Sequence, residues 1–561
     1  MEADALKMAA ERPSRARKWL RAAAIGAIAA AGAGGFAPAQ AQDANQPPAA
    51  DAPPPVDQPT VPAPPPAAAN SPDASPPAPQ PPADQAPSPP GAPASPPDQA
   101  PTQAAAPPSS VQEQPLSPLD LFSAGRDTGL GVDLWKGASA PLARVVIPSL
   151  ADHPLSPAGA ALGRRVLGAA ATAPDGAGAD ADLAAARARA LLALGDAAEA
   201  GTILDHTAGV ASSAALSETA AEAALINDQS DKACAIGDAL AADRDGVYWL
   251  RLRAFCQART GKPAAQLTAT LADQQGPDPV FDRMIAVIIA GGGDPGPASL
   301  ADGLDYAMSQ QLKLDLTPAL ADAAPAIAAH LAGAGVAPTT PAATPPVEAD
   351  ILAGLRKAKT PSGFDAASRL ALPAIVQLVA AKTPLQNPVQ LAAAALGADD
   401  LATAKAIRAS LTGDTIPGAD ATDLAILDAA LAAASDTADG PTLDRLVERG
   451  AGPDPQRAQQ AAALVLALGW PADPASRAAF GDFHLGDAGV PSARLLLLDS
   501  AADAGVRGDA ALVALWAAED GGANGPAAPD RARLIRDLAH AGLKVDAQGF
   551  AVEGLLGLES R

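Results

Sequence analysis

The chain has little of what usually carries chemistry: two cysteines, five histidines and an aromatic share of 3% over 561 residues. Two cysteines exclude a disulfide-dense scaffold and a Cys-rich zinc module. His153, His206, His330, His484 and His540 stand far apart, with no His-Glu-x-x-His and no neighbour at ligand spacing, so no metal and no other cofactor is expected. A Gly-x-Ser-x-Gly elbow is missing, and Gly261-Lys262 lacks the upstream glycine and the following hydroxyl residue of a phosphate loop. Asp175 to Asp182 alternates acidic and small residues as calcium loops do but has no closing glutamate, and reads as an acidic loop. No catalytic residue is assigned. Basic charge is scarce too: 39 Lys and Arg against 62 Asp and Glu give a net charge of −23. That balance argues against nucleic acid and against an anionic membrane surface, both of which are bound through cations. Strand-type alternation of β-branched residues is hard to find, and alanine dominates, so the fold class is expected to be all-α.

What is present begins with Arg12, Arg15, Arg17, Lys18 and Arg21, then an Ala/Gly/Ile run to Ala37, then Ala39-Gln40-Ala41. These are the basic, apolar and cleavage regions of a secretory signal peptide, 1–41, with cutting after Ala41. The apolar run is shorter than the ~20 residues of a membrane span, so no stable span is expected after cleavage. Residues 42–118 are almost entirely Pro, Ala, Gln, Ser and Asp, with no Lys or Arg between Arg21 and Arg126. Such a composition has too little apolar surface to offset the entropy of ordering and reads as a disordered Pro/Ala-rich linker.

Bulky residues return at Leu121, Phe122, Leu130, Val132, Leu134 and Trp135, and regular helix punctuation follows. Pro141 and Pro157 suit helix starts; Gly469, Gly505 and Gly542 fall where left-handed caps end helices. A Pro/Thr stretch, 336–348, divides an N-terminal lobe, 119–335, from a C-terminal lobe, 349–561.

Between Leu183 and Asp273 a two-helix unit recurs three times. Leu183, Ala190, Leu191 and Leu194 share a face, the chain turns at Gly195-Asp196, and Ala197, Ala200, Ile203 and Leu204 share the next. The second unit pairs Ala221, Ala224 and Leu225 with Ala233, Ile236 and Leu240; the third pairs Trp249, Leu252 and Cys256 with Ala264, Leu267 and Leu271. A hairpin of this size cannot bury its stripe alone, so neighbours must stack. Leu194-Gly195-Asp196 followed by Ala200 resembles the turn and small second-helix residue of the tetratricopeptide (TPR) family, over about residues 183–273. The resemblance implies helical-hairpin repeats, an α-solenoid, with a concave protein-binding surface. A generic helical-hairpin array shares the same pattern.

The first helices of units one and three carry Arg187, Arg189, Arg251 and Arg253 in an otherwise acidic chain. In repeats of the TPR kind these helices line the concave side, so the four form a candidate groove for an acidic peptide or a chain-terminal carboxylate. The alternative is four solvated arginines paired with nearby acids. Cys234 and Cys256 each lie eleven residues from Asp245, at the centre of the turn between units two and three. Antiparallel helices place such positions at one height, and an exporting signal implies an oxidising compartment, so a disulfide is expected, with two buried thiols as the alternative. The functional expectation is an exported, non-enzymatic scaffold or adaptor in the bacterial cell envelope, periplasmic or secreted, whose partners are other envelope proteins. The competing reading is an envelope hydrolase acting on wall polymer through a site assembled from distant residues.

Overall fold

Most helices of this chain are opened by a side chain that supplies what the first turn lacks. Ser139, Ser156, Asp180, Asp196, Ser213, Asp278, Asp302, Thr360, Asp400, Asp420, Asp439 and Asp473 each accept a backbone N–H from that turn, which satisfies donors no helix can satisfy internally. Proline often follows at the first positions, where no N–H is needed. At the other ends Gly469, Gly505 and Gly542 adopt φ of +84°, +69° and +80°, the left-handed conformation their positions in the sequence call for.

The computed structural model describes residues 120–333, 347–411, 416–452 and 455–558. They all belong to one compact unit, Leu116–Arg561. The signal peptide 1–41 with Ala39 and Ala41, the 42–118 segment, and nearly all of 336–348 lie outside the described residues. Among the described residues the fold is all-α; the only extended pairing is a single bridge between Arg126 and Ala169.

The helices run in order as α1 (Ala140–Ser149), α2 (Pro157–Leu167), α3 (Ala181–Ala193), α4 (Ala197–Asp205), α5 (Ala214–Ile226) and α6 (Ser230–Ala239). Then come α7 (Val247–Arg259), α8 (Ala265–Gln275), α9 (Pro279–Ala290), α10 (Gly303–Gln311) and α11 (Pro325–Gly333). Beyond residue 346 follow α12 (Glu348–Lys357), α13 (Pro361–Ala380), α14 (Pro388–Gly397), α15 (Leu401–Ser410), α16 (Ala421–Ala434) and α17 (Gly440–Gly450). The last are α18 (Gln456–Ala467), α19 (Pro474–Phe480), α20 (Ser492–Asp503), α21 (Arg507–Gly521), α22 (Ala528–His540) and α23 (Lys544–Leu558).

The pairs α3/α4, α5/α6 and α7/α8 are hairpins, and α10 returns to pack on α5. Helices α5 to α10 share a core of their own, with Trp249, Leu252, Phe255, Phe281 and Met284 at its centre. A larger core joins the first described helices to the last: α1 and α2 pack on α21, and α2 also meets α23 and α13. Helix α21 is buried nearly all round, from Ala510 through Leu515 and again at Ala517 and Ala518. Close approach makes that arrangement work, since a Cβ on Gly508 would stand 2.8 Å from the Trp135 ring.

Two details differ from the sequence reading or bear on it. In α8 the expected apolar face of Ala264, Leu267 and Leu271 is turned to solvent, with Leu267 66% exposed, and Ala265, Thr268, Ala269 and Ala272 face inward. Helix α7 brings Trp249 and Phe255 into the shared core, and small residues on α8 let the two axes approach. Helix α13 is the one described helix long and apolar enough to cross a membrane. Its Phe364, Ser368, Ile375 and Leu378 are buried in the fold, and it carries the paired Asp365 and Arg369.

Candidate functional site

The four arginines expected in one groove do not share one. Arg187 is 1% exposed. Its Nε donates to the Leu167 carbonyl at 2.6 Å, Nη1 to Phe122 at 2.9 Å, and Nη2 to Ala124 and Ala169, both at 2.9 Å. The guanidinium also lies 5.1 Å from the Phe122 ring centre. Burial pushes its pKa down to about 10, with Glu199 and Asp120 pulling the other way, so it is charged at neutral pH and clamps the entry loop to the α2–α3 junction. Arg251 is also buried, donating to Gly276 O at 2.5 Å, pairing with Asp278 at 3.3 Å and lying over Phe281. Arg253 donates to Arg244 O at 3.0 Å, and Arg189 is exposed. The reason is helical geometry: residues two apart point about 200° apart, so Arg187 and Arg189 face opposite ways.

Cys234 on α6 and Cys256 on α7 stand at disulfide distance, with Cα atoms 5.7 Å apart. Close by, an enclosed acidic group links α5, α7 and α10. Glu222 Oε2 accepts the Gly303 N–H at 2.8 Å, and the carboxyl group lies out of reach of solvent beside the Tyr248 hydroxyl. Burial, then the neighbouring Asp302, raises Glu222 to about 8; burial and Asp302 raise Asp305 to about 7. Tyr248, beside Glu222, is also pushed up by burial.

A cleft of about 590 Å³ opens where the early, middle and last helices meet, within the ~300–1,000 Å³ usual for ligand clefts. Helix α2 contributes Pro157, Ala158, Ala161 and Arg164; α13 contributes Phe364, Asp365 and Arg369. Leu396 and Gly397 come from α14, and Val545, Gly549, Val552, Leu556 and Gly557 from α23. The walls are apolar and the rim is charged. Arg369 donates from Nε to both Asp365 oxygens at 3.2 Å and from Nη2 to Asp399 at 2.6 Å, which raises its pKa. Glu553, on the inner side, accepts the Ala158 N–H at 2.6 Å and pairs with the buried Arg531 at 2.6 Å. It thereby ties the start of α2 to α23. Arg164 donates from Nη1 to Leu194 O at 2.8 Å, and burial lowers its pKa.

The lining carries no hydroxyl, thiol or imidazole, and its two rim aspartates lie against one guanidinium. Such a surface can hold an apolar group and orient it by charge; its carboxylates, Asp365, Asp399 and Glu553, are each held by an arginine. No motif announces the cleft, because its residues come from five stretches between positions 157 and 557. One local signal was present in Gly549 and Gly557, on the outer face of a helix with no tight turn to explain them. An added Cβ at either would meet nothing within 4 Å. No protein family, curated protein or solved structure matches this chain.

Proposed function

We propose that the protein is an exported, non-enzymatic scaffold of the bacterial cell envelope, periplasmic or secreted. Its hairpins act as TPR-like repeats that present recognition surfaces to other envelope proteins. The observation that carries this reading is the cleft between α2, α13, α14 and α23, with apolar walls and a charged rim whose carboxylates, Asp365, Asp399 and Glu553, are all engaged by arginines. The Cys234–Cys256 pair supports the compartment, because such a bond persists where thiols are not kept reduced. A wall hydrolase would need an acid and a base placed on either side of a scissile bond, and the rim aspartates instead share Arg369.

The test combines fractionation with crosslinking. Protein recovered from a bacterial host should leave the cytoplasm and begin at Gln42, and crosslinking in envelope extracts should join it to a small, reproducible set of proteins. An intact Met1 form in the soluble cytosol removes the export reading. Turnover of purified wall polymer by the mature protein removes the non-enzymatic one.

A further inference from the structure

The cleft holds one guanidinium whose donors are mostly unused. Among the described residues Arg164 makes one hydrogen bond, to Leu194 O, and no ion pair; Asp196 and Asp365, the carboxylates whose charges act on it, are paired with Arg126 and Arg369. A guanidinium has five N–H donors in a planar fork that matches a carboxylate. At the rim Asp399 has a side chain 78% exposed and uses only Oδ2 on Arg369, which leaves acceptor capacity for an incoming N–H. Apolar walls, a free fork and spare acceptors together describe an occupant with three properties: apolar side chains, a carboxylate and N–H donors. A free acyl acid has the first two and lacks the third.

We propose that this cleft takes the carboxyl-terminal end of a partner polypeptide whose last residues are apolar. The terminal carboxylate is held by Arg164, the last side chains lie against Phe364, Val552 and Leu556, and main-chain N–H groups face Asp399. This rests on the scaffold reading and names the ligand class of its cleft. A volume of about 590 Å³ accommodates an extended chain end and excludes a folded surface.

The test uses the full mature chain and a fluorescein-labelled peptide ending in Ala-Leu-Val, with its carboxylate free or amidated, and octanoate as competitor. Fluorescence anisotropy should show binding of the free-acid peptide. Amidation, or Arg164→Gln, should each weaken it by at least about tenfold, and the two together by little more than either alone, since both remove the same charge-assisted contact. Arg164→Gln also gives up the bond to Leu194 O, so its helical circular-dichroism signal and melting temperature are read beside its affinity. Gly549→Trp fills the cleft from a position where a Cβ meets nothing within 4 Å, and should abolish binding with the helical circular-dichroism signal unchanged.

Equal binding of acid and amide, no binding by the wild type, or displacement by octanoate at peptide-like concentrations would each overturn the proposal, the last in favour of an amphiphile site. Envelope proteins still crosslinked to the Gly549→Trp protein would overturn the chain-end assignment while leaving the scaffold reading intact. Failure of the wild type to crosslink any protein would instead count against the scaffold itself.

Discussion

Removing the bond between Cys234 and Cys256 should loosen one part of this protein far more than the rest. The two cysteines are 22 residues apart in sequence, and closing a loop of that size removes about 11 cal/mol/K of chain entropy from the unfolded state, or about 3 kcal/mol at 25 °C. The consequence is concentrated in α6. That helix buries only Ala233 fully, with Ile236 half-buried against the second core, so little apolar area holds it once the tether to α7 is cut. The double variant Cys234→Ser/Cys256→Ser should therefore lose amide protection first across Ser230–Ala239, and then in α7, where Trp249 and Phe255 anchor the shared core. Hydrogen exchange read by mass spectrometry, with urea unfolding followed by tryptophan fluorescence, gives both numbers. Because most of the second core lies apart from the larger one, meeting it along α5 and at Ile236, the urea curve should split into two transitions, the earlier moving to lower urea. Protein shown by alkylation to contain the bond, yet unfolding identically with and without reductant, would refute the reasoning.

Stability should also fall as pH rises from about 4.5 to about 8: burial raises Glu222 from 4.5 to about 8, so the folded state holds a proton in that window that the unfolded state has released. Urea midpoints at pH 5 and pH 8 test this, and Glu222→Gln should flatten the difference; a midpoint that rises across the window would sink the idea. Arg187→Met leaves the carbonyls of Phe122, Ala124, Leu167 and Ala169 without their buried donor, and should cost about 3 kcal/mol or more, seen as a lower melting temperature. Two glycines on α23 should respond to alanine with opposite signs. Gly549→Ala gains up to about 1 kcal/mol of helix propensity in open space. Gly554→Ala places a Cβ 2.7 Å from both Arg531 Cδ and Leu464 Cδ1 and should destabilise through overpacking; paired thermal melts decide whether the signs differ.

The parts of this fold that were legible in the sequence are those written locally. Caps such as Asp180 and Asp196 act on N–H groups three residues away, and Gly505 ends its helix by its own backbone, so helix positions could be read without knowing any neighbour. The disulfide was legible for a related reason: a short turn makes position along one helix predict position along the next. Faces were harder. In an alanine-rich chain the apolar signal is spread round the helix, and helices such as α16 and α21 bury residues on every side. Periodicity then marks the helix and says nothing of its orientation. Helix α8 shows how that misleads, because Leu267 and Leu271 look like a core stripe until the bulk of α7 makes the alanine face the better fit. Arg187 shows the converse. Its charge reads as surface, yet four carbonyls left open where the entry loop meets α2 and α3 make the interior the place where a five-donor side chain is satisfied. The cleft lies beyond both kinds of signal. It exists only because the first helices pack against the last, and the same small residues that hide the orientation of each helix leave space at Gly549 and Gly557 for something else to fill.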